Sequence, residues 1–589
     1  MNKKLLKISL LTLGAFFISA EADACQTSCN TSCNTSSNSC SSNSTSCKGD
    51  ISGSFLFIRP NFQVGMPEVE SFWRRRANNG ECGEGREGGL GAAIQIVPFG
   101  GRSNKESRLG SFFAFGGSNG LSANSSQAVT ALTPAQINPI NFGIQYTGVG
   151  ASFSSTFTFN PRQSFAGVGF EWRQYLGWWN ECGSNWWFDI SFPFEHVQNK
   201  MNLCESTPVT VGTSVVGGVS SMAQAFAGQA VYTNIAGNGN AVNMQYGLIP
   251  LSSDCNSGCD DSCNTSCATS CSTTSTCGLK TYRNGVADVT IRLGYDGLCT
   301  ECCYVNGYVG VLAPTGNRPN ARLMFEPIIG HNRHVGFVFG SLMSYDIFSD
   351  CDRALSWEVN FDSLYLFKGK ETRSFDLKGH GAWSRYLLVY ANAADAAAGT
   401  VSPGINYFTQ EVNVTPRFWT SINSALVYNQ RCGLSAELGW NFWAKQAEKV
   451  SLKNPSCFTG VTLVGLNQLN DQYADLSVNP IIPNQTNLLN TIGNNNGIAY
   501  CVNGETTTIP FNSSLVPVTA TYAALTPADL DLCSGANPAA MTNMVYGTLG
   551  WNFDWCAPMF VGVGGSYEFT PINTALNRWT VWGKWGVSF

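Results

Sequence analysis

Two stretches of the chain repeat one kind of chemistry. Residues 25–47 read CQTSCNTSCNTSSNSCSSNSTSC and set Cys25, Cys29, Cys33, Cys40 and Cys47 among Ser, Thr and Asn. Residues 255–277 read CNSGCDDSCNTSCATSCSTTSTC and set Cys255, Cys259, Cys263, Cys267, Cys271 and Cys277 in the same company. Thiolates at this spacing can hold a soft metal, but zinc sites normally close with a second cysteine pair or a histidine. In an oxidising compartment the same thiols form disulfides. An extended C-x3-C unit spaces its thiols ~13 Å apart, at ~3.3 Å per residue. A disulfide needs its Cα atoms within about 7 Å. Neighbouring cysteines of a tract therefore pair only where the chain turns back, and the polar spacers have no apolar surface to hold such a turn. Cross-links to other molecules are the expected use, with local pairing, metal binding and an unpaired flexible tract as the alternatives. The total of 23 cysteines is odd, so at least one thiol is unpaired or bonded to another molecule.

Other reactive constellations are sparse. The four histidines are His196, His331, His334 and His380, and HNRH sets His331 and His334 three apart in an outer loop. A solvated loop is preferred there over a ligand pair. No G-x-S-x-G, H-E-x-x-H or phosphate-binding glycine loop occurs, so no enzyme chemistry and no cofactor are expected. A net charge of −5 over 589 residues leaves no basic footprint for nucleic acid. FWRRR (72–76) and TGNRPNAR (315–322) are basic outer-loop stretches. They line an anion-attracting constriction if a loop folds inward, and are solvated surface otherwise.

The N-terminus sets the compartment. Lys3, Lys4 and Lys7 precede the short apolar run ISLLTLGAFFISA, and ADA ends at Ala24. Residues 1–24 read as a secretory signal peptide. Acylation of Cys25 is the lesser alternative, because Ala22 stands where Leu is usual. Residues 25–50 follow as a Cys/Ser/Thr/Asn-rich periplasmic tail. No later run of ~18–20 apolar residues offers a membrane helix. Charged residues make up only 12%, aromatics another 12%, and Gly reaches 61, a balance suited to strands with an apolar outer face.

Alternation supplies the elements. In SWEVNFDSLYLFK, Trp357, Val359 and Phe361 oppose Glu358, Asn360 and Asp362. In DVTIRLGYD, Val289, Ile291, Leu293 and Tyr295 oppose Asp288, Thr290 and Arg292. The same period of two puts Asp189 opposite Ile190, Glu171 and Arg173 opposite Trp172, and Glu437 and Lys445 opposite Leu438 and Trp440. A soluble sandwich shows such alternation too. Aromatics clustered at strand ends, as in NWWF and WNFWAK, favour a membrane barrel with interfacial girdles. The chain ends NRWTVWGKWGVSF, with Trp579, Val581, Trp585 and Phe589 on one face and Arg578, Thr580 and Lys584 on the other. This ending resembles the final strand of Gram-negative outer-membrane barrels, in which the terminal Phe is the assembly signal; the resemblance assigns that part to Phe589. The expected lumen-lining set is Glu171, Arg173, Asp189, Asp288, Arg292, Glu358, Asp362, Arg417, Glu437, Lys445, Arg578 and Lys584, a mixture of signs suited to a water-filled channel of weak ion selectivity.

The expected fold is all-β: a transmembrane antiparallel barrel over residues 51–589, of about 14 strands within a range of 12–16. The strands fall near 51–60, 88–99, 108–117, 163–176, 184–196, 284–296, 303–314, 334–348, 354–368, 412–428, 431–446, 544–556, 557–569 and 577–589. Links near 100–107, 177–183, 297–302, 349–353, 429–431 and 556–558 are short and periplasmic. Those near 61–87, 118–162, 197–283, 315–333, 369–411 and 447–543 are long and extracellular. The strands at 51–60 and 108–117 are the weakest, because both of their faces read apolar. This map puts the first cysteine tract on the periplasmic side and the second in the extracellular 197–283 insert.

The plan as a whole resembles the cysteine-rich, porin-like major outer-membrane proteins of chlamydiae and other intracellular bacteria. The shared traits are a signal peptide, a barrel, a terminal Phe, abundant cysteine and an early SFLFIRP stretch. The resemblance implies a diffusion porin for small hydrophilic solutes, integral to the bacterial outer membrane, with a structural role through envelope disulfides. The implied partners are outer-membrane lipids, the barrel-assembly machinery and other envelope proteins, and a homo-oligomer is compatible with it. The alternative is a plugged barrel acting as a structural surface protein or adhesin.

Overall fold

The computed structural model describes residues 53–61 and, with short breaks, 92–251, 280–463 and 524–588. Both cysteine tracts, the signal segment, FWRRR and Phe589 lie outside the described residues. Twelve long strands form the frame: β1 (Ala92–Asn104), β2 (Arg162–Tyr175), β3 (Trp186–Lys200), β4 (Val289–Cys299), β5 (Cys303–Ala313), β6 (Gly336–Ser349), β7 (Arg353–Leu366), β8 (Arg417–Gln430), β9 (Gly433–Lys445), β10 (Ala540–Asp554), β11 (Pro558–Phe569) and β12 (Asn577–Ser588). Each pairs antiparallel with the next, and β12 returns to β1 with Ala93 opposite Ser588 and Asn104 opposite Asn577. The sheet is closed and has no free edge.

Two of the expected strands are absent from the wall. Residues 106–113 form an α-helix, α1 (Glu106–Phe113), whose Leu109, Phe112 and Phe113 are buried. Residues 53–61 pair with no strand. Their apolar residues on both faces, which mark buried segments generally rather than wall strands, explain both differences. The short link expected near 100–107 also disappears, because β1 runs through it to the long-loop end. One additional strand, Tyr282–Val286, pairs with the outer half of β3, while β4 pairs with its inner half. The two are one strand broken at Ala287–Asp288.

The faces are inverted relative to a soluble protein. Leu438 is 69% exposed, Val563 64% and Leu549 59%, whereas Glu171, Asp189, Arg292, Glu358 and Glu437 are buried. Trp172, Trp186, Tyr295, Tyr345, Trp357, Trp551 and Trp585 are exposed near the short-turn end. Phe194, Phe337, Phe367, Phe569 and Trp579 are exposed toward the other. Aliphatic residues such as Ile291, Val311, Leu426 and Val561 fill the band between. The girdles are marked by Trp357 on β7 and Phe367 just past its end, ~33 Å apart at ~3.3 Å per residue. A tilt of ~40° turns this into ~25 Å along the normal, the height of an outer-membrane apolar band. The chain is a membrane-spanning β-barrel.

The connections at the opposite end are folded. Short strands within them build a five-stranded sheet around Tyr146–Phe159, a three-stranded sheet of Gly369–Ser374, Thr409–Thr415 and Lys449–Leu452, and smaller pairs. Tyr146–Phe159, though long enough for a wall strand, thus belongs to a loop sheet. Phe113, Phe142, Phe159, Phe226, Trp383 and Tyr386 pack into one aromatic core. The Trp383 indole donates to the Phe113 carbonyl at 2.7 Å. These loops form a cap with its own hydrophobic centre.

Candidate functional site

Inside the barrel, the inward faces of the strands meet one another before they meet water. Glycines on this face lie opposite aromatic rings across the sheet. Gly294 faces Trp187, Gly340 faces Tyr308, Gly439 faces Tyr546, Gly564 faces Trp582 and Gly586 faces Phe560. A Cβ added to Gly294 would stand 2.0 Å from the Trp187 ring. The missing side chain is what lets the ring lie flat across the strand. Part of the high glycine content therefore serves to fill the lumen with indole and phenol rings.

Charged side chains occupy the space between the rings. Arg173 on β2 and Arg292 on β4 both donate to Asp189 on β3, at 2.9 and 2.8 Å, and all three are buried. The Arg173 guanidinium also lies over the Trp187 ring, 4.0 Å from its centroid. Glu171 is within electrostatic reach of Arg292. On the opposite wall Tyr546 donates to Glu437 at 2.8 Å, Asn423 donates to the Tyr546 oxygen at 3.0 Å, and Lys584 stands 3.9 Å from Glu437. Glu358 and Lys445 are buried on the same inner face, and Asp362 accepts from Tyr308 at 2.8 Å. Arg417 opens β8 at the outer rim, in a left-handed conformation with φ of 67°. The sequence-predicted lumen residues thus fall into separate clusters, with Asp288, Arg417 and Arg578 at the outer rim. Asp189 and Glu437 have their charges met by neighbouring wall residues.

Residues 53–61 lie in the outer half of this lumen. Phe55 and Phe57 share a buried cluster with Trp187, Tyr308, Leu312, Val338, Leu366, Trp419 and Trp443, inward residues from β3 and from β5 through β9. Arg59 donates to Asn441 on β9 at 2.9 Å and to Glu568 on β11 at 3.4 Å, and Arg578 on β12 donates to the same carboxylate at 2.5 Å. Arg578 further donates to the carbonyl of Arg59 at 3.0 Å and to Asn61 at 2.8 Å. From the cap side, Ser54 donates its N–H to the Ser534 carbonyl at 2.9 Å, and Leu56 packs into the aromatic core. SFLFIRP carries apolar residues on both faces, and those faces meet the lumen wall and the cap.

The 314–335 connection closes over the same space. Asp288, freed where the strand breaks, accepts the backbone N–H groups of Thr315 and Gly316 at 3.2 Å and that of His331 at 2.7 Å. Its carboxylate also meets His331 Nδ1 at 2.6 Å. His334 places Nε2 2.7 Å from Glu371 and Nδ1 2.8 Å from the Phe367 carbonyl. Both histidines are buried, which overturns the expectation of a solvated HNRH loop. Their partners, Asp288 and Glu371, lie 43 and 37 residues away, beyond the reach of a local motif. Burial works to raise the Glu371 carboxyl, but Arg373 and His334 outweigh it and hold it below the usual carboxylate range. Burial pushes Glu326 up to about 7, against the N–H groups of Asn320 and Ala321 that it accepts. Arg318 and Arg322 of TGNRPNAR are exposed. Among the described residues, no group of three or more His, Cys, Asp or Glu side chains could hold a metal ion.

No protein-family model and no curated protein matches the chain. Among solved structures, an outer-membrane channel from Pseudomonas putida F1 overlaps with 9% identity, 85% of this chain, 95% of that chain and a TM-score of 0.33. The NanC porin overlaps with 7% identity, 72% of this chain, 93% of that one and a TM-score of 0.23. A FadL homologue of Pseudomonas aeruginosa gives 7% identity, 84% and 89% coverage, and a TM-score of 0.22. Overlaps this loose leave the barrel's own geometry as the ground for any function.

Proposed function

We propose that the chain is an integral protein of the bacterial outer membrane whose barrel is plugged, serving as a structural surface protein that carries a folded cap. The observation that carries this is the seating of residues 53–61 in the outer lumen, gripped by inward side chains of β8, β9, β11 and β12. Girdles about 25 Å apart fit the outer-membrane band. Paired and buried wall charges suit a filled interior better than a conducting one. The same observation weighs against constitutive passive diffusion of small hydrophilic solutes. The partners in this proposal are outer-membrane lipids, the assembly machinery reading Phe589, and other envelope proteins bonded through the tracts at 25–47 and 255–277. The cross-linking role keeps the likeness to cysteine-rich chlamydial-type outer-membrane proteins as part of the proposal. Planar-bilayer recording on folded, heat-modifiable protein is the test. Silence is expected, and discrete steady channels in the wild type would restore the diffusion porin.

A further inference from the structure

The segment 53–61 is held as a peptide is held in a groove, and not as a strand is held in a sheet. Its backbone is met by groups far away in sequence. Gly53 donates to the Phe112 carbonyl at 3.0 Å and Ser54 to that of Ser534 at 2.9 Å. The Phe57 carbonyl accepts from the Asn537 amide at 3.3 Å, and Arg578 spans the carbonyls of Arg59 and Pro60 at 3.0 and 3.3 Å. Contacts of this kind read an extended main chain whatever its side chains.

Every second side chain then enters a seat of its own chemistry. Phe55 lies under the Arg373 guanidinium, 3.1 Å from its ring centroid. Phe57 packs 4.8 Å from Trp419 and 6.5 Å from His331, ring to ring. Arg59 reaches a carboxylate (Glu568), an amide oxygen (Asn441) and an indole face (Trp443, 5.8 Å). Carboxylate, carbonyl oxygen and aromatic face together make the environment a planar guanidinium prefers. A small cavity lined by His331, Asp362, Trp419, Ser421 and Trp443 adjoins these seats.

We infer that the outer lumen is a binding site for an extended, arginine-bearing peptide of the pattern aromatic–x–aromatic–x–Arg, which residues 55–59 fill in cis. The inference rests on the closure of the barrel by this segment. The seat at Glu568, Asn441 and Trp443 is the discriminating part, and it takes a guanidinium.

Two arms test it. In the first, residues 54–61 are replaced by a Gly/Ser stretch of equal length, and folding is checked by heat-modifiable migration. A fluorescent peptide with the sequence Ser54–Asn61 should bind this variant saturably and leave the wild type, whose site is filled, unlabelled. The same peptide with Arg59→Ala should bind at least roughly tenfold more weakly, because a charge-assisted hydrogen-bond pair is lost. A folded variant that binds neither peptide, or both equally, overturns the site. The second arm keeps the segment and uses the full chain carrying Arg59→Ala. Agmatine should raise its melting temperature in a concentration-dependent way, with no effect on the wild type. A simple alkylamine of similar length should do much less. Equal stabilisation by both, or by neither, overturns the guanidinium seat even if the first variant does not fold. Bilayer recording on the wild type separates the two levels. An open wild-type channel refutes closure itself, whereas a silent wild type that fails both arms refutes only the site.

Discussion

Asp189→Asn is the most searching perturbation of the filled lumen. The substitution keeps the shape of the side chain and one carbonyl oxygen, but removes the charge and sets an NH2 donor against one of the two guanidinium groups. Asp189 is 1% exposed and receives Arg173 at 2.9 Å and Arg292 at 2.8 Å, each of them fully buried. Removing one member of a buried pair typically costs about 3–5 kcal/mol, because the partner is left charged and desolvated. Two guanidinium groups lose the carboxylate here, so the upper part of that range applies, moderated by Glu171 near Arg292. Unfolding in urea from lipid vesicles, followed by tryptophan fluorescence, reads the loss as a fall in midpoint at constant slope. Adding Arg292→Met to Asp189→Asn should restore part of it, since one stranded charge is gone. A loss below about 1 kcal/mol for Asp189→Asn would mean that water reaches these residues. The account of a filled, dry lumen would then be wrong.

Other consequences are as direct. Leu438→Arg, at the most exposed point of the apolar band, should impair assembly by about 2–4 kcal/mol, with unfolding in vesicles as the measure. Gly294→Val should drive the Trp187 ring off its strand and cost about 1–3 kcal/mol, visible as a changed near-ultraviolet signal from that indole. Glu326 titrates at about 7 in the folded cap against an ordinary value of 4.5. The folded state thus binds the proton more tightly, so Glu326's contribution to the cap's stability is fully present below pH 4.5 and is lost as pH rises through about 7. The change is of order 3 kcal/mol, and Glu326→Gln should flatten it in hydrogen-exchange profiles. Non-reducing gels of envelopes, with thiols trapped at lysis, should show reducible high-mass species, and deleting 255–277 should remove a subset while leaving heat-modifiable migration intact.

Much of the wall was legible because its period of two carries polarity as well as spacing. Glu437, flanked by Ala436 and Leu438, cannot say on its own which side is water. The girdle residues Trp172, Trp357, Trp551 and Trp585 fix the outer side as lipid. What stayed hidden is long-range. His331 and His334 gain their meaning from Asp288 and Glu371, which only the folded connection brings to them. The cap core draws Phe113, Phe159, Phe226 and Trp383 from different parts of the chain, and no local period shows that these segments meet one another. Clustering of the lumen charges around Asp189 and Glu437 depends on register between strands, which alternation along one strand does not contain.

The strand count shows how a consistent pattern can still mislead. Short and long links alternate along any antiparallel barrel, so removing two strands from a correct list leaves an even number and preserves the alternation elsewhere. Of the two that are not wall, residues 106–113 lie downstream of β1 and residues 53–61 upstream. Losing only one strand downstream reverses β1, and its pairing records the reversal: Ala92 stands opposite Gln174 at the short-turn end, and Asn104 opposite Asn577 at the other. Gly53 meanwhile bonds to Phe112 within the cap. The described part of the N-terminal region therefore stands at the long-loop end, where an even strand count with the segment in the wall would not have put it. A segment freed from the wall keeps all of its backbone polar groups to satisfy. Within a closed barrel the donors and acceptors left for it are inward side chains and loop carbonyls. Arg578, Asn537 and Ser534 supply them, and in doing so they turn a sequence that reads as a strand into the occupant of the pore.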